Sequence, residues 1–208
     1  MIYIIRKKVV FHRNKKGRIT MEFEEKITNV ETIHEGNITT YQLVDVTLPD
    51  GRKAEREIVR HDDAAAVIAF TDDQKLVLVR QYRVAIGKTT LELPAGLRDK
   101  DDRDGIVTAQ REFEEETGLR AKEWRYVTSF YSTPGYTDEF LEIYEAIGLE
   151  KVEDSLPQDE DEFIEVVALD FDEAMEAYTR GELCDSKTVF ALFYWQMRRQ
   201  KNADESAN

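Results

Sequence analysis

The chain has 208 residues, 41% of them hydrophobic, enough to bury a sizeable core in one substantial domain with a small appendage. Its 43 Asp and Glu outweigh 29 Lys and Arg, and the net charge of −14 repels a phosphate backbone, which argues against nucleic acid as a partner. One cysteine, Cys184, excludes an intrachain disulfide and fits a reducing, cytoplasmic compartment. No run approaches the ~18 apolar residues of a membrane span, and basic residues follow the short apolar start, the reverse of a signal peptide.

Residues 1–60 read as β-rich, a small N-terminal subdomain of hairpins. Tyr3 to Phe11 holds two apolar clusters around Arg6-Lys7-Lys8. Val44, Val46 and Leu48 alternate with Asp45 and Thr47, the period of a half-buried strand. Pro49-Asp50-Gly51 is a turn signal, and a strand follows through Glu57, Ile58 and Val59. A larger domain is expected over 61–200. It opens with Ala64–Phe70 and Leu76–Tyr82, two apolar runs separated by Thr71-Asp72-Asp73, which predict a buried hairpin. Ile106–Thr117 has helical periodicity, with Ile106, Ala109 and Phe113 on one stripe. Asp102 or Asp104 can cap its start, and Gly118 suits a left-handed residue past its end. Strands are expected at Trp124–Tyr131, Leu141–Ile147 and Phe163–Leu169, then helices at Asp172–Arg180 and Ser186–Arg199 around Gly181. The polar residues 201–208 read as a flexible tail. Mixed strands with interspersed helices imply an α+β or layered α/β/α fold.

Chemistry concentrates in Leu91–Leu119. Glu112, Glu115 and Glu116 lie three and four apart, so at ~3.6 residues per turn they share one helix face, away from Phe113. Like charges at that spacing oppose helix formation by a few tenths of a kcal/mol per pair, roughly, unless a cation stands among them. Arg111 compensates in part, and a hard divalent cation does so better; oxygen-only ligands suit magnesium or manganese. A solvated acidic face is the bland alternative. An EF-hand is excluded: with Gly105 at the loop's sixth position, the first and twelfth ligands would be Lys100 and Arg111, both cationic. His12, His34 and His61 show no metal spacing.

The order Gly96, acidic loop, then Arg111-Glu112-Phe113-Glu114-Glu115-Glu116-Thr117-Gly118-Leu119 resembles the signature box of the Nudix hydrolases. Its helical half matches at every fixed position. The loop half departs: Gly96 and Arg111 stand one residue further apart than in the family, and Asp102 occupies the family's first glutamate position. Val79–Gly96, Ser132-Thr133-Pro134-Gly135, the acidic run Asp159–Val166 and Gly181–Thr188 are similar to elements of the ADP-ribose pyrophosphatases.

That resemblance implies a Nudix-like α/β/α sandwich with a mixed sheet, and cleavage of the pyrophosphate of ADP-ribose or a related nucleotide sugar. It implies that Glu112, Glu115 and Glu116, with the Ala95 carbonyl, hold about two or three magnesium ions, manganese being the alternative. Arg111 would orient the glutamates, and Gly96 would permit the loop geometry that presents Ala95. Glu162, in preference to Glu160, would be the base that takes the proton of the attacking water. Arg83 is the candidate phosphate-binding cation, Leu97 and Glu92 flank the metal loop toward the sugar–phosphate region, and Arg56 is a further candidate. A homodimer built through the N-terminal subdomain is expected. GDP-mannose or a dinucleotide are alternative substrates, and a non-catalytic module that senses ADP-ribose is the alternative of a different class.

Overall fold

The computed structural model describes residues 12–13, 19–20, 23–153, 156 and 163–206. The expected apolar clusters of Tyr3 to Phe11 lie outside the described residues. The chain divides into two compact units: residues 1–61 with 135–137, and residues 62–134 with 138–208.

In the first unit, β1 (His12–Arg13) pairs with β2 (Ile19–Thr20). Strands β3 (Lys26–Glu35), β4 (Thr39–Thr47) and β5 (Lys53–His61) form an antiparallel sheet in that order. The alternation read around Val44 and Val46 is real, since both are buried on one face of β4. Strand β3 escapes an alternation reading because bulges between Ile27 and Asn29 and between Thr32 and His34 interrupt its period. Its apolar residues Ile27, Val30 and Ile33 therefore recur every third position.

The second unit is organised by β6 (Ala64–Ala69), every residue of which is buried. It runs parallel to β11 (Phe140–Lys151) on one side and antiparallel to β9 (Ala95–Leu97) on the other, and β10 (Leu119–Tyr131) completes the mixed sheet β10-β11-β6-β9. Ala64, Ala66 and Ile68 enter one core with Leu76, Leu78, Leu91, Leu93 and the helical residues Ala177, Leu192 and Trp195. Ala65, Val67 and Ala69 enter a second core with Ala109 and Phe113 of α1 (Gly105–Thr117). A strand buried on both faces reads as a continuous apolar run, as here.

Leu76 and Leu78 belong to β7 (Leu76–Arg83), the middle strand of a separate antiparallel sheet between β12 (Glu165–Leu169) and β8 (Lys88–Glu92). The expected hairpin of the two apolar runs is therefore not formed. Apart from one bridge between Phe70 and Leu76, β6 and β7 join different sheets that share a core. Apolar runs at this spacing fit either arrangement, and only long-range partners decide. With α1 in one core and α2 (Phe171–Thr179) and α3 (Ser186–Ser206) in the other, the unit is an α/β/α sandwich.

Helix α1 starts at Asp104, whose side chain accepts from the Val107 N–H, so of the two candidate caps Asp104 serves. Gly118 ends it at φ 67°, donating its N–H to the Glu114 carbonyl. Asp170 and Glu173 form a capping box on α2. Helix α3 continues past Arg199 through residues expected to be a tail, as far as Ser206. No helix among the described residues is long and apolar enough to cross a membrane.

Phe113 fixes α1 to the sheet. It is fully buried, and the edge of one ring meets the face of the other where it contacts Trp124, with centroids 5.9 Å apart. Phe113→Ala should cost about 3–5 kcal/mol in urea unfolding, and a loss below about 1 kcal/mol would show that other contacts seat the helix.

Candidate active site

Three local features bring the carboxylates together. The helical repeat puts Glu112, Glu115 and Glu116 on one face of α1. The short strand β9, held against β6, carries the loop backbone to that face. Gly96 then leaves room for a close approach: a Cβ built there would overlap the Glu112 carboxylate, which would have to shift. Glu116, almost fully buried, accepts the Ala95 N–H at 3.0 Å.

Arg111 stands among the charges. Its Nη1 lies 2.7 Å from Glu112 Oε1 and 2.9 Å from Glu115 Oε2. Its Nη2 donates to Asp102 Oδ2 at 3.0 Å and to the Leu97 carbonyl at 2.9 Å. The guanidinium thus ties two helix carboxylates to the altered loop. Burial alone would lower its pKa, but Asp102, Glu112 and Glu115 raise it well above the usual arginine value. Asp102 is likewise pushed up by burial and pulled down further by Arg111 and by the Asp99 N–H, so its carboxyl stays below the ordinary aspartate range.

The donor set is oxygen-only and suits a hard divalent cation in chemistry. Among the described residues, no three acidic, histidine or cysteine side chains are arranged as a ready metal cluster. Arg111 draws Glu112 and Glu115, and the Ala95 N–H draws Glu116. A cation here would compete with Arg111 for the same oxygens.

The other expected site residues fall out differently. Glu162 and Glu160 lie outside the described residues. Leu97 is half-buried, packs against the larger core and gives its carbonyl to Arg111. Arg83, at the end of β7, pairs through both prongs with Glu92, at 2.8 Å each. The Glu116 charge also acts on Arg83. Glu92 is buried, not open to a ligand: Oε1 accepts from Arg83 and Thr90, and Oε2 from Arg83 and Lys187. The expected contact of Glu92 with substrate is therefore not available, because both oxygens are taken. Burial would raise the Glu92 pKa, but Arg83 and Lys187 hold it well below the usual carboxylate range. Arg56 belongs to the first unit, where it forms a two-pronged pair with Glu25.

Lys187 and Asp185 were missed as site-related residues. A signal existed: Lys187 sits in the first turn of α3, where a cation opposes the helix dipole and so needs a partner elsewhere.

A model of the NUDIX domain matches residues 60–191. The chain is 44% identical to a methanol dehydrogenase activator of Bacillus methanolicus, over 85% of this chain and 95% of that protein. It is 38% identical to an ADP-ribose pyrophosphatase of Bacillus subtilis, over 88% and 98% of the two chains. A solved structure described as an ADP compounds hydrolase superposes with a TM-score of 0.77 at 25% identity, covering 88% of this chain and 98% of that one.

Gly96→Ala should displace the Glu112 carboxylate and weaken manganese binding, followed by calorimetry, by at least about tenfold. Unchanged affinity would separate Glu112 from any cation site.

Proposed function

The chain belongs to the Nudix hydrolase family and is a pyrophosphatase of that family, and from that premise we propose that it cleaves ADP-ribose, or a related nucleoside diphosphate sugar, with the help of divalent cations. The products are then AMP and ribose 5-phosphate. The observation that carries this reading is the meeting of Glu112 and Glu116 with the β9 backbone, Glu112 lying against Gly96 and Glu116 accepting the Ala95 N–H. The ADP-ribose pyrophosphatase relative supports the choice of substrate.

Glu112, Glu115 and Glu116, with the Ala95 carbonyl, would hold magnesium or manganese. Bound there, such cations neutralise a diphosphate and lower the pKa of an attacking water. Arg111 orients Glu112 and Glu115 from the loop side. Arg83 would offer Nη1 to a phosphate oxygen, and Glu162 is the proposed base. The exposed edge of the first unit supports a homodimer. Among the described residues, strand β3 is paired on one side only, and Ile27, Val30 and Ile33 are exposed on it.

The identity to a methanol dehydrogenase activator favours a second reading, in which this chain acts on a dehydrogenase. It is separated from the first by whether methanol oxidation by such an enzyme responds to the chain when no nucleotide sugar is supplied.

Purified protein should release AMP from ADP-ribose with magnesium, faster than it cleaves GDP-mannose or dinucleotides, and lose that activity in EDTA. Glu116→Gln should reduce turnover by at least about a hundredfold with an unchanged melting temperature. Activity retained in EDTA or in the variant would sink the metal assignment. Light scattering should give twice the chain mass, and a monomer at micromolar concentration would refute the dimer.

A further inference from the structure

Behind Arg83 runs a row of alternating charge that the metal chemistry does not need. Arg83 Nε and Nη2 each donate to Glu92 at 2.8 Å. Glu92 Oε2 also accepts from Lys187 Nζ at 2.5 Å, and Nζ donates in turn to Asp185 Oδ1 at 3.0 Å. Asp185 Oδ1 accepts the Thr188 N–H at 3.2 Å, and the Asp185 carbonyl accepts the Val189 N–H, as an N-cap of α3 does. Each internal member is covered: the Glu92 side chain is 3% exposed and Lys187 13%, against 43% for Arg83.

The signs are ordered. The negative end, Asp185, lies at the N-terminus of α3, where the helix dipole favours an anion. The positive end, Arg83, is the open one and feels the charge of Glu116. Its Nη1 carries no hydrogen-bond partner among the described residues. The row is neutral as a whole, which makes its burial tolerable, and two of the three Arg83 nitrogens are fixed from behind. That leaves Nη1 as the guanidinium nitrogen open to a ligand, on a side chain that is 43% exposed.

We propose that Lys187 is a positioning residue for the hydrolytic reaction, acting through Glu92 to fix the Arg83 guanidinium for the substrate diphosphate. This rests on the reading of Arg83 as the phosphate-binding cation. Without Lys187 the row carries a net negative charge behind Arg83. That charge draws the guanidinium inward and weakens its hold on an anion. Arg83 binds both ground and transition states, so the loss falls on KM and not on kcat.

The test is a double-mutant cycle between Lys187→Met and Arg83→Ala, with Lys187→Arg as the conservative variant. ADP-ribose hydrolysis in magnesium gives KM and kcat, and calorimetric binding of ADP gives a second measure independent of turnover. Lys187→Met should raise KM and the ADP dissociation constant about tenfold, with kcat within about threefold. In the Arg83→Ala background it should change neither further, and Lys187→Arg should recover most of the affinity. If Lys187→Met leaves too little folded protein, Lys187→Gln, which keeps a donor toward Glu92 but not the charge, takes its place, and the same rise is expected. Equal losses in both backgrounds, or a variant with unchanged affinity, overturn the positioning role. If Arg83→Ala alone changes nothing, the phosphate-binding reading of Arg83 falls, and the proposal with it.

Discussion

Everything in the second unit's chemistry depends on one electrostatic constraint. Glu112, Glu115 and Glu116 share a helix face and repel one another by a few tenths of a kcal/mol per pair, roughly, so positive charge or N–H donors set against that face stabilise it. The structure meets that demand from two directions. Arg111, on the same helix, reaches Glu112 and Glu115, and the Ala95 N–H on β9 reaches Glu116.

The fold explains how so much charge sits beside a core. Strand β6 sends alternate side chains into two cores, and the small ones on the α1 side, Ala65 and Ala69, let the helix lie close. On the other edge of β6, the three residues of β9 are long enough to pin Ala95 and Gly96 and short enough to leave the loop beyond them free to turn. The longer acidic loop then supplies Asp102, which holds Arg111. Asp102 thus has a use. Its carboxylate anchors the arginine, and an anchored arginine orders the glutamates.

Local features were legible in the sequence, and long-range pairings were not. Helix α1, its Gly118 cap and the shared face of the three glutamates follow from spacing alone, because a helix is written in contacts three and four residues apart. Strand β4 is visible for a similar reason. Strand β3 is hidden because two bulges turn a period of two into an apparent period of three. The apolar runs of β6 and β7 are visible as strands, but their membership of different sheets is decided by partners such as β11 and β12, far along the chain. The same holds in the site. Arg83 stands out as a charge near a strand end, whereas the use of Glu92 depends on Lys187, 95 positions away, donating to it. A glutamate three residues before the metal loop reads as a ligand contact until that distant lysine is placed against it.

Two kinds of positive charge follow from this arrangement. Arg111 is held by four acids and a carbonyl, so its charge is spent within the protein. Arg83 is held by a buried carboxylate that Lys187 also contacts, and its Nη1 has no hydrogen-bond partner among the described residues. An acidic protein that must attract an anion cannot rely on net charge, since at −14 the far field repels the substrate. It has to present isolated, oriented cations at short range, where geometry outweighs the screened field. The neutral row ending in Arg83 is the proposed device of this kind. It places one fixed charge beside the carboxylate face and adds nothing to the protein's overall balance.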